Sequence, residues 1–197
     1  MKKVILFLVL LLTLSVVLGL AGCGGSPITP PITYAIGDTG PAGGWIFYDK
    51  GSSSDGWRYL EAAPSDQSTF IQWCNSNYVD YVVTGATGIA IGTGQANTTA
   101  IVTIQGAGNY AAQLCNDLTV GGYNDWFLPS KDELDLIYKN LYLADVGGFA
   151  VYSLFWSSSE DFDTIFAWAQ SFGIGSHGSQ DRWAKSFSLR VRAIRAF

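Results

Sequence analysis

GGYNDWFLPSKDEL, residues 121–134, is the stretch whose reading decides the fold of this chain. Asn124-Asp125 is a turn pair, because these short polar side chains bond their own nearby backbone. Trp126-Phe127-Leu128 is a brief apolar run. Pro129 stands at a helix boundary, and Ser130 with Glu133 has the S-x-x-E spacing of a capping box. In that box the serine oxygen accepts from an orphan N–H of the first turn, and the glutamate accepts from the cap N–H. Leu134, Ile137, Tyr138 and Leu141 follow at three- and four-residue spacing, one apolar face of a helix predicted over residues 129–142. The stretch reads as a tethered loop that enters a core helix.

Outward from it, WIFY (45–48) reads as a first strand and WRYL (57–60) as a second, its antiparallel partner. Gln72-Trp73-Cys74 is a short strand or a covered loop. TGATGIAIGTG (84–94) has neither a G-x-x-x-x-G-K-[ST] nor a G-x-G-x-x-G pattern, so it reads as an irregular loop and not a phosphate cradle. Helices are expected over 97–105 and 109–118, although the β-branched residues of TTAIVTI weigh against the first. Strands are expected over 155–159, 166–172 and 187–194. Strands at both ends with helices between them give an α+β domain.

Several of these segments carry a resemblance. GDTGPAGGWIFYDKG (37–51), GWRYLEAAP (56–64), GGYNDWFLPSKDEL (121–134), FWSSSE (155–160), AWAQSF (167–172) and VRAIRAF (191–197) are similar, in this order, to the pattern of the Lcl-type C-terminal domain family of bacterial surface domains. The resemblance implies a C-type-lectin-like α+β fold with short antiparallel strands and two to three helices. The family's founding member is a collagen-like adhesin that binds sulfated glycans, which implies a role in surface recognition.

The N-terminus points to the compartment. Lys2 and Lys3 precede an apolar run over residues 4–20, which ends in Leu20-Ala21-Gly22-Cys23. A basic start, an apolar stretch and small residues at its end mark a signal peptide. The ending resembles a bacterial lipobox, which implies diacylglycerol on the Cys23 sulfur and an acylated new N-terminus. Two or more acyl chains anchor stably, since each buried CH₂ contributes about 0.8 kcal/mol. The expected organisation is a signal peptide over 1–22, a proline-containing tether over 23–33 and a domain over 34–197. Gly24 is not the aspartate that retains some lipoproteins at the inner membrane, so the expectation is the outer membrane of a bacterial envelope.

Composition agrees. Charged residues make up 14% of the 197-residue chain, against a typical value of about 25%. Loss of Lys2 and Lys3 with the leader takes the formal net charge from −5 to −7. An acidic domain argues against nucleic acid as partner. The other two cysteines, Cys74 and Cys115, are expected to pair, as even numbers of cysteines in exported chains tend to do. The alternative is two buried thiols.

Candidates for chemistry are few. The single histidine, His177, sits in GIGSHGS, a poor setting for a rigid triad. No G-x-S-x-G elbow is present, so a non-enzymatic role is expected. Glu160, Asp161 and Asp163 are a weak grouping for calcium, which prefers several oxygen ligands, but the EF-hand spacing is missing and a solvated acidic loop is the other reading; Asn124-Asp125 is expected to bond local backbone instead of calcium. No other cofactor is called for. The basic residues gather late in the chain, at Arg182, Lys185, Arg190, Arg192 and Arg195. On an extended strand Arg190 and Arg192 share one face, opposite Leu189 and Val191. Guanidinium forks match sulfate and carboxylate groups, so Arg182, Lys185, Arg190 and Arg192 form a candidate site for an anionic glycan or a surface protein. Internal pairing with the excess carboxylates is the other reading. Together these features lead to a lipid-anchored envelope binding domain, an adhesin in kind. The alternative is a structural envelope lipoprotein that contacts proteins or peptidoglycan without a dedicated pocket.

Overall fold

The computed structural model describes residues 32–75, 81–173 and 175–197. The leader, Cys23 and all but the end of the tether lie outside the described residues. The chain divides after Ile32, and Thr33–Phe197 is a compact unit. Among the described residues are three helices and eight strands in two sheets, an α+β fold. No described helix is long and apolar enough to cross a membrane.

Helix α3, Lys131–Asn140, starts where the capping box places it. Glu133 N–H donates to Ser130 Oγ at 3.3 Å, and Ser130 N–H donates to Glu133 Oε2 at 2.6 Å. The helix stops two residues short of the predicted end, and a single 3-10 turn, Tyr142–Ala144, follows. Ahead of it, the run Trp126-Phe127-Leu128 is extended and its side chains alternate. Trp126 and Leu128 enter one apolar cluster, with Trp73, Trp156 and Val191. Phe127 enters a second, with Leu134, Ile137, Phe155 and Ile194. The period of two in extended backbone lets three consecutive residues staple both cores. Phe127 also exchanges backbone hydrogen bonds with Ile194, at 2.8 and 2.9 Å.

The smaller sheet has the order β1-β2-β8, formed by Trp45–Asp49, Tyr59–Ala62 and Ile194–Ala196, all antiparallel. The larger has the order β3-β7-β4-β5-β6, formed by Ser68–Gln72, Ser188–Val191, Ser153–Glu160, Phe166–Phe172 and Gln180–Ala184. Only β4 and β7 run parallel in it. The remaining helices are α1, Gly94–Gln105, and α2, Ala111–Asn116. Helix α1 tolerates its threonines because Thr98 Oγ1 accepts from the Leu128 N–H at 3.0 Å and so ties the helix to the core loop.

Further departures from the sequence expectations lie in the C-terminal strands and at the cysteines. The predicted strand over 187–194 is two strands, β7 and β8, broken at Arg192-Ala193 where the chain passes from one sheet to the other. Strand β6 lies in a segment left without an assignment. The expected Cys74–Cys115 disulfide is not present. Both side chains are packed in one apolar cluster, Cys74 Sγ donates to the Lys185 carbonyl at 3.5 Å, and burial pushes the Cys115 thiol pKa up.

Candidate functional site

The late-chain cations do not form an open anion site. Lys185 is fully buried and pairs with Glu160, while its ammonium also donates to the Val82 carbonyl at 2.7 Å. The Trp73 ring lies 4.7 Å from that ammonium. Arg192 is 1% exposed. Its Nε donates to Asp66 Oδ1 at 2.8 Å, and its Nη1 donates to the Ala63 and Gly147 carbonyls at 3.0 Å. Burial holds the Arg192 pKa below the usual range, opposed by Asp66. Arg190 takes the other Asp66 oxygen at 2.9 Å. Arg195 forks onto Asp125, at 2.8 and 2.9 Å, and also reaches Glu61. Arg182 is the most open of the set, yet it pairs with Asp161 at 3.3 Å. The shared face of Arg190 and Arg192 looks inward at a carboxylate, so internal pairing replaces the expected ligand stripe.

The acidic segment is likewise internal. Glu160 accepts from Thr84 N–H, Thr84 Oγ1 and Gly85 N–H, at 2.9 to 3.1 Å, besides Lys185. Those bonds anchor the entry to the glycine-rich loop. Asp161 is buried against Arg182, and Asp163 bonds local backbone. These carboxylates do not converge on a common point, and the Lys185 ammonium holds the position a cation would take. Among the described residues, no group of three or more His, Cys, Asp or Glu is placed to hold a metal ion.

Asp125 and Glu133 share a cavity of about 170 Å³ with Trp57 and Gln95. The Arg195 fork holds the Asp125 carboxyl low, whereas burial pushes Glu133 up against the pull of backbone donors. Opposite shifts in one cavity are the signature of an acid–base pair. Here both Glu133 oxygens are already occupied, by Gly92 N–H at 2.8 Å and Ser130 N–H at 2.6 Å. Both Asp125 oxygens take the Arg195 fork. The pair holds the fold together. A hollow of about 560 Å³ beside Asp66 and Asn109 has no aromatic wall, and its Asp66 carboxylate is committed to two arginines.

A groove of about 500 Å³ has a different character. Its floor is the end of the larger sheet, where Leu154 of β4 lies opposite Ser171 of β5. Asp181 and Trp183 line it from β6 at the sheet edge, and Tyr152 lines it from just ahead of β4. Tyr152 is 78% exposed and has a φ of 56°, a left-handed backbone that tyrosine rarely adopts. Such strained residues gather at ligand sites, and an observed outlier licenses that inference. Trp183 is half-buried and packs edge-on to Phe187 at 5.3 Å. Ser176 and Ser179 add hydroxyls from the loop that carries His177. This wall is fixed in place. Ser171 N–H donates to Ser179 O at 2.9 Å, Gln170 Nε2 donates to Gly178 O at 3.0 Å, and Gly178 lies under the Tyr138 ring of α3 where a Cβ would collide. No lysine, arginine, histidine or cysteine is among the lining residues.

The sequence analysis does not single out Tyr152, Asp181 or Trp183. The available signal is the alternation in QDRWA (180–184), which sends Asp181 and Trp183 to one face and Arg182 to the other.

A family model, that of the Lcl C-terminal domain, matches residues 63–195. That span includes all three helices, the five-stranded sheet and every residue of the groove. No curated protein matches the chain.

Proposed function

Because the chain belongs to the Lcl C-terminal domain family, we propose that it is a non-enzymatic binding module of the bacterial envelope, held by lipid on Cys23, whose ligand seats in the groove between Tyr152 and Trp183. The observation that carries this reading is one hollow lined both by Tyr152, exposed and strained in its backbone, and by the half-buried Trp183. Binding sites are concave and largely preformed, with aromatic walls and a few polar groups that fix orientation. The groove has both. It has one carboxylate, Asp181, with no histidine, lysine or cysteine beside it to share a proton or attack a substrate, so its chemistry suits holding a ligand. The lipobox resemblance supports an envelope address, Gly24 in place of an aspartate supports the outer membrane, and the family resemblance supports an adhesin-like role.

Two experiments test it. The full chain and its Tyr152→Ala/Trp183→Ala variant are applied to an array of envelope polysaccharides, host glycans and matrix proteins. The wild type should capture a ligand that the double variant loses, and capture that survives the double substitution contradicts the groove. Cys23→Ala should move the protein out of the membrane fraction, and continued retention there contradicts the anchor.

A further inference from the structure

The charge of the groove narrows the ligand class. Asp181 is exposed, and its Oδ1 accepts from the Arg182 N–H at 2.7 Å. Among the described residues no cation pairs with it, whereas Arg182, Lys185, Arg190, Arg192 and Arg195 are each paired elsewhere. A sulfate or carboxylate in this groove would meet one negative charge and no positive one. Two like charges about 4 Å apart near a protein surface repel strongly at the low effective dielectric found there.

We propose that the groove takes an uncharged saccharide, not a sulfated one. This rests on reading the groove as the binding face. An ionised carboxylate is acceptor-only, and a sugar ring presents a row of hydroxyl donors to it. Ser171, Ser176 and Ser179 can donate or accept, which suits hydroxyls of either sense. Ser176 Oγ already donates to the Gly173 carbonyl at 3.0 Å, so it meets the ligand as an acceptor. The sugar's C–H face lies against an aromatic ring, whose face is the negative end of its quadrupole. Tyr152 and Trp183 are the two aromatic residues that line the groove. The recognised unit is a neutral hexopyranose or N-acetylhexosamine within a longer chain.

The test is calorimetric titration of the full chain with neutral tetrasaccharides of the gluco, galacto, manno and N-acetylglucosamine series, and with a heparin tetrasaccharide. At least one neutral series should bind and heparin should not. Tyr152→Ala and Asp181→Asn should each weaken the neutral ligand about tenfold or more, since a hydrogen bond to a charged group and an aromatic contact are each worth that much. Both residues are open to solvent, and circular dichroism checks that each variant folds. Heparin binding that Tyr152→Ala abolishes, with no neutral binding, overturns the charge inference and leaves the groove as the site. Neutral binding unchanged by Tyr152→Ala and by Trp183→Ala overturns the groove itself. No binding of any neutral series or of heparin overturns the saccharide.

Discussion

Lys185 Nζ lies 2.5 Å from Glu160 Oε1, with side chains 0% and 3% exposed. A charged pair this deep survives because every partner is present: the Val82 carbonyl on one side, and Thr84 and Gly85 N–H groups on the other. Removing one member strands the other charge. Lys185→Met should therefore destabilise the domain by roughly 3–5 kcal/mol, read from urea unfolding. A loss below about 1 kcal/mol, the range of surface pairs, contradicts this account of the site.

Arg190 and Arg192 share Asp66. Their double alanine variant should lower the unfolding midpoint sharply, because it leaves Asp66 without its cations and empties the space beneath Phe149, whose ring lies 4.1 Å from the Arg192 guanidinium. The wild type should pass through a heparin column at physiological salt. Retention on that column, lost in a folded double variant, would restore the arginines as a ligand site.

The capping box gives a smaller, local prediction. Ser130→Ala removes the oxygen that accepts from Glu133 N–H and the hydroxyl that donates to the Ala90 carbonyl at 3.0 Å. Loss of such a cap costs about 1 kcal/mol. The buried second bond adds to it, so thermal unfolding should shift down measurably. An unchanged melting temperature contradicts the role given to the motif.

Asp125 supplies a pH dependence. Its carboxyl is held low, chiefly by the Arg195 hydrogen bond. A depressed folded-state pKa means stability that is present above the unfolded value, about 3.9, and lost as pH falls through the lower folded value. The gap in melting temperature between wild type and Asp125→Asn should be constant near neutrality and shrink below about pH 4. A gap that widens on acidification contradicts the sign.

What the sequence makes legible here is what acts over short distances. The box of Ser130 and Glu133 spans three residues, and the alternation of Trp126, Phe127 and Leu128 needs only extended backbone. Pairing is not local. Asp66 meets Arg190 and Arg192 across 124 and 126 residues, so the basic stripe is visible in the sequence while the carboxylate that neutralises it is not. The groove is hidden for the same reason. Tyr152, Ser171 and Trp183 come from three segments that only the β4-β5-β6 order brings together. The disulfide expectation fails because an even cysteine count says nothing of where two cysteines settle, and one apolar cluster accommodates both.

The most direct measurement is nuclear magnetic resonance titration of the labelled full chain in detergent with the neutral tetrasaccharide that binds best. The Trp183 indole is assigned by Trp183→Phe. Shifts concentrated at Trp183, Tyr152, Ser171 and Asp181, with the Arg190–Asp66 region unmoved, are the predicted result. Shifts confined to the Asp66 and Arg192 surface, with the Trp183 indole unchanged at saturation, would contradict the groove as the binding face.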